Sequence, residues 1–287
     1  MKSFFSPSKI NLFLEVLSKR SDGYHELNSL MCFSNIGDQI QIQKSKKFKI
    51  FFEGQFSDLL KNDASNNLVK KVFELMKKKF NLNSEAEIIL HKNLPISSGI
   101  GGGSSNAATV IKALKEIFSL DFNTFELDKF LLSIGSDVPF CYHGSTAIVR
   151  GKGEIQYKLN NVPKLYVLLV NPLFEISTKQ IFSKIEIFSQ KKTEIKKLSL
   201  DESTFIEILK NSNNDCQIIA ENICPDIKLI LNYFNNETNS LLSRMSGSGA
   251  TCFGLFNNKA DLNSAFSLFL NKKKKWWIKK GNILNNI

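Results

Sequence analysis

Hydrophobic residues recur along the chain at two spacings, and each spacing predicts a different kind of element. Alternating positions or short continuous apolar runs predict strands, and these occupy residues 11–17, 39–43, 48–52, 86–90, 165–170, 243–245, 251–256 and 276–278. Apolar residues three or four positions apart predict helices, and these occupy residues 68–80, 107–118, 178–188, 203–210, 226–234 and 262–270. Asn66 or Asn67 has the side chain of an N-cap for the first of these helices.

The two halves of the chain differ in their predicted secondary structure. Strands punctuated by helices fill the first half, whereas polar connections separate more helical stretches from about residue 156 onward. A length of 287 residues suits one large domain or two modest ones. This change in predicted secondary structure favours an α+β architecture in two lobes, residues 1–155 and 156–287. The lysine-rich stretch 189–202 is predicted to be a surface loop.

The chain carries 38 basic and 27 acidic side chains, a net charge of +11. Such a surplus attracts polyanions, including nucleic acids and membrane surfaces. Arginine, the preferred residue for bidentate contacts to phosphate and guanine, accounts for only three of the basic residues. A lysine surplus beside 29 asparagines is typical of nucleotide bias in a genome. We therefore expect no nucleic-acid partner, and keep a basic face for anionic ligands as the alternative.

Cysteine usage and the N-terminus indicate the compartment. The five cysteines are odd in number and widely spaced, which argues against a disulfide framework and a structural zinc site. Pro7 and Lys9 interrupt any signal-peptide core. No run approaches the roughly 18 apolar residues of a membrane span. We expect a soluble, cytoplasmic protein that has no membrane partner and is a monomer or weak homodimer.

A glycine-rich segment between a predicted strand and a predicted helix carries the clearest chemistry. In Gly99–Ser105, bare glycines let backbone N–H groups converge on an oxyanion, and the following helix presents its positive N-terminus there. The segment is neither a Walker A loop nor a dinucleotide fingerprint, because it lacks Gly-Lys-Ser/Thr and has Ser104 where a third glycine would stand. A phosphate ligand is predicted, and a mere flexible turn is the alternative.

Four segments carry a resemblance to a known family. Residues 95–108 resemble the phosphate loop of the GHMP kinase superfamily. Residues 6–14 with 22–27, and residues 135–140, resemble the branch that acts on 4-diphosphocytidyl-2-C-methyl-D-erythritol, although Ser136 stands where that branch usually has alanine. Residues 244–250 are similar to the third GHMP motif. Matching segments run from residue 6 to residue 282.

The resemblance implies a fold and an activity. It implies a two-lobed GHMP kinase fold of the α+β class. The N-terminal, ATP-binding lobe would be like ribosomal protein S5 domain 2, with a left-handed β-α-β crossover, and the C-terminal lobe would be ferredoxin-like. It also implies ATP-dependent phosphorylation of the 2-hydroxyl of the cytidyl substrate, a step of the non-mevalonate route to isoprenoid precursors. Mg²⁺ follows from phosphoryl transfer, with no protein ligand assigned.

The resemblance also assigns roles to residues. Lys9 and Asp137 would be catalytic, the aspartate as base. The substrate residues would be Asn11, Tyr24, His25, Asp137, Thr178 and Phe182, with the cytosine between Tyr24 and Phe182. The ATP residues would be Asn67, Leu68, Lys92, Pro95, Gly99, Gly101, Gly102, Gly103, Ser104 and Ser105.

Several of these residues have ordinary structural interpretations when read alone. An aspartate after Gly-Ser is commonly a turn former or helix cap, and Asn67 can be only an N-cap. Tyr24 and His25 could be plain strand residues, and Phe182 is one of 24 phenylalanines that could fill a core. A proline usual in the family near residues 177–179 is missing, which leaves the register of Phe182 open.

Three other functions are possible on the sequence alone. Another GHMP kinase, acting on mevalonate or homoserine, would have no evident use for the Asp22–Glu26 segment. A basic RNA-binding protein would leave the glycine loop without a purpose. Membrane attachment through residues 268–278 competes with a terminal strand in which both tryptophans cover the core.

Overall fold

A computed structural model describes residues 1–61, 67–122, 124–190, 192–195, 200–272 and 274–287. The elements are β1 (Lys2–Lys19), β2 (His25–Ser45), β3 (Lys49–Glu53), α1 (Ser57–Lys61), α2 (Leu68–Phe80), β4 (Glu85–His91), α3 (Gly102–Phe118), α4 (Thr124–Ile134), α5 (Val138–His143), β5 (Ala147–Gly151), β6 (Ile155–Lys158), β7 (Tyr166–Asn171), α6 (Thr178–Phe182), α7 (Glu202–Lys210), α8 (Gln217–Ile223), α9 (Pro225–Glu237), β8 (Leu242–Met245), β9 (Cys252–Phe256), α10 (Lys259–Asn271) and β10 (Trp277–Leu284).

The chain forms two compact units that are not contiguous segments. The first unit comprises Met1–Ser8, Gly37–Ile96 and Gly101–Gly144, and the second comprises Lys9–Ile36, Ser97–Ile100 and Ser145–Ile287. The long strands β1 and β2 each pass from one unit to the other. The predicted division near residue 155 stays a prediction.

The first unit combines a small sheet with helices. The end of β2 pairs antiparallel with β4, and β3 pairs parallel with β4, so that α1 and α2 form the crossover between parallel neighbours. Alternate residues of these strands are buried, as in Ile40, Ile42, Ile88 and Leu90, which is the pattern of a sheet with one covered face. Helix α3 packs against α2 and α5. The left-handed sense of the crossover stays a prediction.

The second unit is built on an antiparallel sheet in the order β10-β7-β9-β8. The first part of β2 pairs with β10 and with β5, and β5 pairs in turn with β6. Residues of α9 and α10 form one buried apolar cluster with β7 and β9, including Val170, Phe234, Phe256 and Phe269. Burying this much apolar side chain in one cluster is the main stabilising contribution to such a unit.

Several predicted elements are confirmed and others are wrong in extent. Helix α2 has the predicted bounds, and the Asn67 side chain accepts a hydrogen bond from Val69 N; Asn66 lies outside the described residues. The helix predicted over 178–188 ends at Phe182, because the following residues leave the helical path and Ser189 N donates to Val16 O. The strand predicted over 276–278 begins at Trp277 and extends to Leu284, because residues 277–282 pair with β7 and residues 283–284 pair with β2.

The predicted surface loop 189–202 falls partly outside the described residues, at 191 and 196–199. Residues 192–195 have no regular structure, and α7 begins at Glu202. All five cysteines are buried and unpaired. Within the described part of the chain, no helix is both long enough and apolar enough to cross a membrane.

Candidate active site

The glycine loop adopts left-handed backbone conformations at alternate positions. Ser97, Gly99 and Gly101 have φ values of +49°, +76° and +64°. At Gly99 a side chain is also excluded by space, because a Cβ would lie 2.3 Å from the carbonyl oxygen of Ser246. The loop therefore requires glycine at position 99 for both conformation and close backbone approach.

The first half of this loop is anchored inside the second unit. Lys9 N donates to Ile100 O at 3.0 Å, and Thr251 N donates to Ser98 O at 3.1 Å. The Ser246 hydroxyl donates to Gly99 O at 3.0 Å. These bonds fix the carbonyl groups of residues 98–100.

The second half of the loop opens helix α3 in the first unit. Gly101 is the N-cap and has no side chain to occupy the first free N–H groups of the helix, so these groups can bind an anion. The Ser105 hydroxyl is buried and accepts a hydrogen bond from Ser6 Oγ at 2.9 Å, whereas Ser104 is partly exposed. Pro95, which precedes the loop, is buried, and Gly103 is exposed.

Lys92 lies beside the start of the same helix and is paired with Asp38, a residue that sequence reasoning missed. The Lys92 ammonium donates to Asp38 Oδ2 at 2.5 Å, and both side chains are buried. A Cβ on Gly102 would come within 3.0 Å of Lys92 Nζ. Burial lowers the pKa of Lys92, and the charge of Asp38 opposes that shift.

Asn67 and Leu68 stand at the start of α2 in the same unit. Asn67 is the N-cap, and its Oδ1 accepts the hydrogen bond from Val69 N at 2.9 Å. Leu68 is partly buried. The capping role of Asn67 is confirmed, and its contact with adenine stays a prediction.

A chain of buried polar groups runs from Lys9 in the second unit. Lys9 Nζ donates to Asn11 Oδ1 at 2.7 Å, and Asn11 Nδ2 donates to Ser29 Oγ at 2.9 Å. The backbone N–H of Asn11 donates to Ser246 Oγ at 3.1 Å. All four side chains are buried. Neither Ser29 nor the Ser246 hydroxyl was assigned from the sequence.

His25 and Phe182 are in contact within the second unit. Their ring centroids lie 5.2 Å apart, and the ring centroids of Phe188 and His25 lie 6.3 Å apart. Phe182 is the last residue of α6, whose N-cap Ser177 accepts a hydrogen bond from Gln180 N. Burial, and to a smaller extent Lys19, lowers the pKa of His25, which keeps the imidazole neutral at pH 7.

Tyr24 presents an exposed ring, with 54% of the residue accessible. Lys152 Nζ lies 4.8 Å from the ring centroid and 3.6 Å from Asp22 Oδ2, while Asp22 Oδ1 accepts a hydrogen bond from Tyr24 N. This arrangement orients an aromatic face by a cation–π contact. The stacking of a pyrimidine between Tyr24 and Phe182 stays a prediction.

Two further predicted residues have definite surroundings. Thr178 Oγ1 and Ser248 Oγ form a hydrogen bond of 2.9 Å in the second unit. In the first unit Asp137 occupies the N-cap position of α5, but its carboxylate makes no capping hydrogen bond. Its side chain is half-buried, and its role as the base stays a prediction.

The structure therefore brings together Lys9 with Asn11, His25 with Phe182, and Lys92 with Gly102. Lys9 and Asp137 belong to different units, and their pairing stays a prediction. Within the described ranges no group of three or more His, Cys, Asp or Glu side chains could hold a metal ion.

Comparison with known proteins gives family matches in both the N-terminal and the C-terminal part of the chain. Residues 67–145 match the family described as GHMP kinases N terminal domain, and residues 195–270 match GHMP kinases C terminal. A 4-diphosphocytidyl-2-C-methyl-D-erythritol kinase of Chelativorans sp. is 35% identical over 96% of this chain and 93% of its own length. One from Caldanaerobacter subterraneus is 36% identical over 90% and 89%.

Solved structures share the fold. A 4-(cytidine 5'-diphospho)-2C-methyl-D-erythritol kinase superposes with a TM-score of 0.78 at 24% identity, covering 98% of this chain and 99% of its own. A mevalonate kinase superposes over the full length of both chains with a TM-score of 0.68 at 15% identity. The two-lobed α+β fold predicted from the sequence is confirmed.

Proposed function

Because the chain belongs to the GHMP kinases, and among them to the 4-diphosphocytidyl-2-C-methyl-D-erythritol kinase family, we propose that it transfers the γ-phosphoryl group of ATP to the 2-hydroxyl of that cytidyl substrate. The products would be ADP and the 2-phosphate, in the non-mevalonate route to isoprenoid precursors. The observation that carries the proposal is the glycine loop, whose uncapped helix N-terminus suits a phosphate.

ATP would bind with its phosphates over residues 99–105. The backbone N–H groups at the start of α3 would donate to phosphate oxygens without reorganisation, because the loop is already fixed by its own hydrogen bonds. Asn67, Leu68 and Lys92 would line the rest of the nucleotide site. The buried ammonium of Lys92 supports an anionic ligand there.

Mg²⁺ is proposed as the accompanying ion. It commonly takes only one or two protein ligands and keeps water and phosphate oxygens, so a preformed cluster of carboxylates is not required. As a protein ligand for the ion, Ser104 is a better candidate than Ser105, because Ser105 is buried against Ser6. When bound, the ion would neutralise charge on the transferring phosphoryl group.

The cytidyl end would be read by His25, Tyr24 and Phe182. A neutral imidazole offers one donor and one acceptor to a base edge, and the lowered pKa of His25 supports that form. Tyr24 and Phe182 would supply stacking faces. Asn11 and Thr178 would bind the polar groups of the substrate.

Asp137 and Lys9 would manage the reacting hydroxyl. Asp137, half-buried at the start of α5, would accept its proton. Lys9 would offset charge on the moving phosphoryl group, and its bond to Asn11 fixes where the ammonium points. Positioning and electrostatics supply most of the acceleration in phosphoryl transfer.

We propose the cytoplasm as the compartment, since five unpaired cysteines suit a reducing environment. The partners would be the cytidyl substrate and ATP, with no nucleic acid or membrane partner, and the enzyme would be a monomer or weak homodimer. The +11 charge would attract two anionic substrates.

An ADP-release assay tests the function. The purified chain is supplied with ATP and Mg²⁺ and, in separate reactions, with the cytidyl substrate, mevalonate and homoserine. Turnover of the cytidyl substrate alone is expected. Turnover of mevalonate or homoserine instead would refute the substrate assignment and leave the GHMP kinase chemistry intact, and RNA affinity with a steep salt dependence would favour the nucleic-acid alternative.

A further inference from the structure

The Asp38–Lys92 pair lies within the first unit at the point where the chain leaves β4 for the glycine loop. Lys92 is only 3% exposed and Asp38 is fully buried. The ammonium is close enough to Gly102, the first residue of α3, that a methyl group there would lie 3.0 Å from Nζ. Gly102 does not have a left-handed φ, so a side chain at this position would disturb the Lys92 ammonium rather than the backbone.

An ammonium in this place is electrostatically costly by itself. The N-terminus of a helix carries partial positive charge, and burial disfavours a second positive charge beside it. Asp38 supplies the compensating negative charge at 2.5 Å. The lysine can therefore remain charged next to a site built for anions.

The two carboxylate oxygens of Asp38 bond to different groups. Oδ1 accepts hydrogen bonds from the backbone N–H groups of Asn93 and Leu94, at 2.7 and 2.8 Å. Oδ2 accepts from the Lys92 ammonium. One side chain thus fixes both the backbone that leads into the loop and the charge beside the loop.

We propose that Asp38 is a positioning residue for nucleotide binding, which holds the Lys92 ammonium at the N-terminus of α3 so that ATP meets a cation already in place. Asp38 acts through Lys92 and does not itself contact the nucleotide. The inference rests on the proposed function, in that ATP is taken to bind at this loop. Preorganising a buried charge removes the cost of ordering it when the ligand arrives.

The decisive variant is Asp38→Asn, which keeps an oxygen for the two backbone N–H groups and replaces the charged oxygen that accepts from Lys92 by an amide NH2. Steady-state KM values for ATP and for the cytidyl substrate are measured with kcat. We expect the ATP KM to rise by about tenfold, as for loss of one charge-assisted contact, with the cytidyl KM unchanged. Glu87→Gln is the matched control, because Glu87 pairs at the surface of the same sheet with Lys49 at 3.4 Å. It should change neither KM.

A double-mutant cycle separates action through Lys92 from a purely structural role. If Asp38 acts through Lys92, then Asp38→Asn combined with Lys92→Met has the ATP KM of Lys92→Met alone. If the ATP KM of the double variant rises by the product of the two single-variant increases, the proposal is overturned. An unchanged ATP KM in Asp38→Asn would also overturn it. Should Asp38→Asn fail to fold, Asp38→Glu replaces it in the cycle, with the same criterion, since its longer side chain displaces the ammonium.

The two hypotheses fail separately. A wild-type chain that releases no ADP with any of the three substrates contradicts the proposed function. A wild-type chain that is active, with additive effects in the cycle, contradicts only the role of Asp38.

Discussion

The ammonium of Lys9 donates a 2.7 Å hydrogen bond to Oδ1 of Asn11, two residues further along strand β1, and both side chains are buried. Residues two apart on a strand share one face of the sheet, so the strand itself holds the pair in register. Asn11 is fixed in turn by its bond to Ser29. If Lys9 acts as proposed, its ammonium is already oriented when negative charge develops on the transferring phosphoryl group.

Asp137→Asn tests the proposed base. The substitution keeps the size of the side chain and removes its ability to accept a proton. We expect kcat to fall by roughly 10²- to 10⁴-fold while the ATP KM stays nearly unchanged. Steady-state kinetics with the cytidyl substrate measures both values. Asp128→Asn is the control, since Asp128 lies on the surface of the same unit, 2.8 Å from His143. Near wild-type turnover in Asp137→Asn would remove Asp137 from this role.

Tyr24→Ala tests the stacking face. The ring is exposed, and Lys152 lies 4.8 Å from its centroid. Removing the ring should raise the KM for the cytidyl substrate much more than the KM for ATP, because only the former carries the pyrimidine that Tyr24 would stack. Tyr157→Ala is a matched control: Tyr157 is also about half exposed and has Arg150 5.1 Å from its centroid. Equal effects of Tyr24→Ala on both KM values would contradict stacking.

The lowered pKa of His25 predicts a pH dependence for substrate binding. Burial favours the neutral imidazole, so His25 takes up a proton only below the ordinary histidine pKa of about 6.5. The KM for the cytidyl substrate should be constant from pH 8 down to that value and rise at lower pH. His25→Gln should have a higher KM that lacks this rise, whereas His143→Gln should keep the wild-type profile. A KM that already rises above the ordinary pKa would contradict a neutral, base-reading His25.

Arg244→Met tests how the strand that precedes the Ser246–Gly249 turn is held. The buried guanidinium donates to the carbonyl oxygens of Leu12, Leu209 and Ser212 at 2.7 to 2.8 Å. Burial lowers its pKa to about 10, so it remains charged at neutral pH. Losing three buried hydrogen bonds from a charged donor should lower the free energy of unfolding by about 3 kcal/mol or more. Urea denaturation measures the change, with the partly exposed Arg20→Met as control, and a loss below about 1 kcal/mol would contradict the estimate.

The sequence predicts an element well where the signals for it, such as hydrophobic period and capping residues, lie within the element itself. Helix α2 has an amphipathic period and a capping asparagine, and both bounds agree with the prediction. Helix α6 was predicted too long because the apolar spacing continues through Phe188. Tertiary bonds override that spacing: Ser189 bonds to β1, and Ile187 is left 85% exposed. The last six residues of β10 lack a strand pattern and are set by pairing, residues 279–282 with β7 and residues 283–284 with β2.

The glycine loop could be recognised because its chemistry lies in one continuous segment. Asp38 could not, because its partner Lys92 is 54 residues away in sequence and no local pattern joins them. The same holds for Ser29, which bonds to Asn11 across two strands. A polar residue in phase with buried apolar positions, as Asp38 is with Ile40 and Ile42, is a signal that could have found Asp38, because such groups need a partner.

The bonds that hold residues 98–100 join parts of the chain that are synthesised far apart in time. Ser246 and Gly99 are separated by 147 residues, and Thr251 bonds to Ser98. Contacts of such long range form late, because closing the intervening chain costs entropy before the contact contributes. A nascent chain that stops short of residue 246 therefore lacks two of the three bonds that hold residues 98–100. If a nucleotide binds at this loop as proposed, the polypeptide acquires that property only near the end of translation.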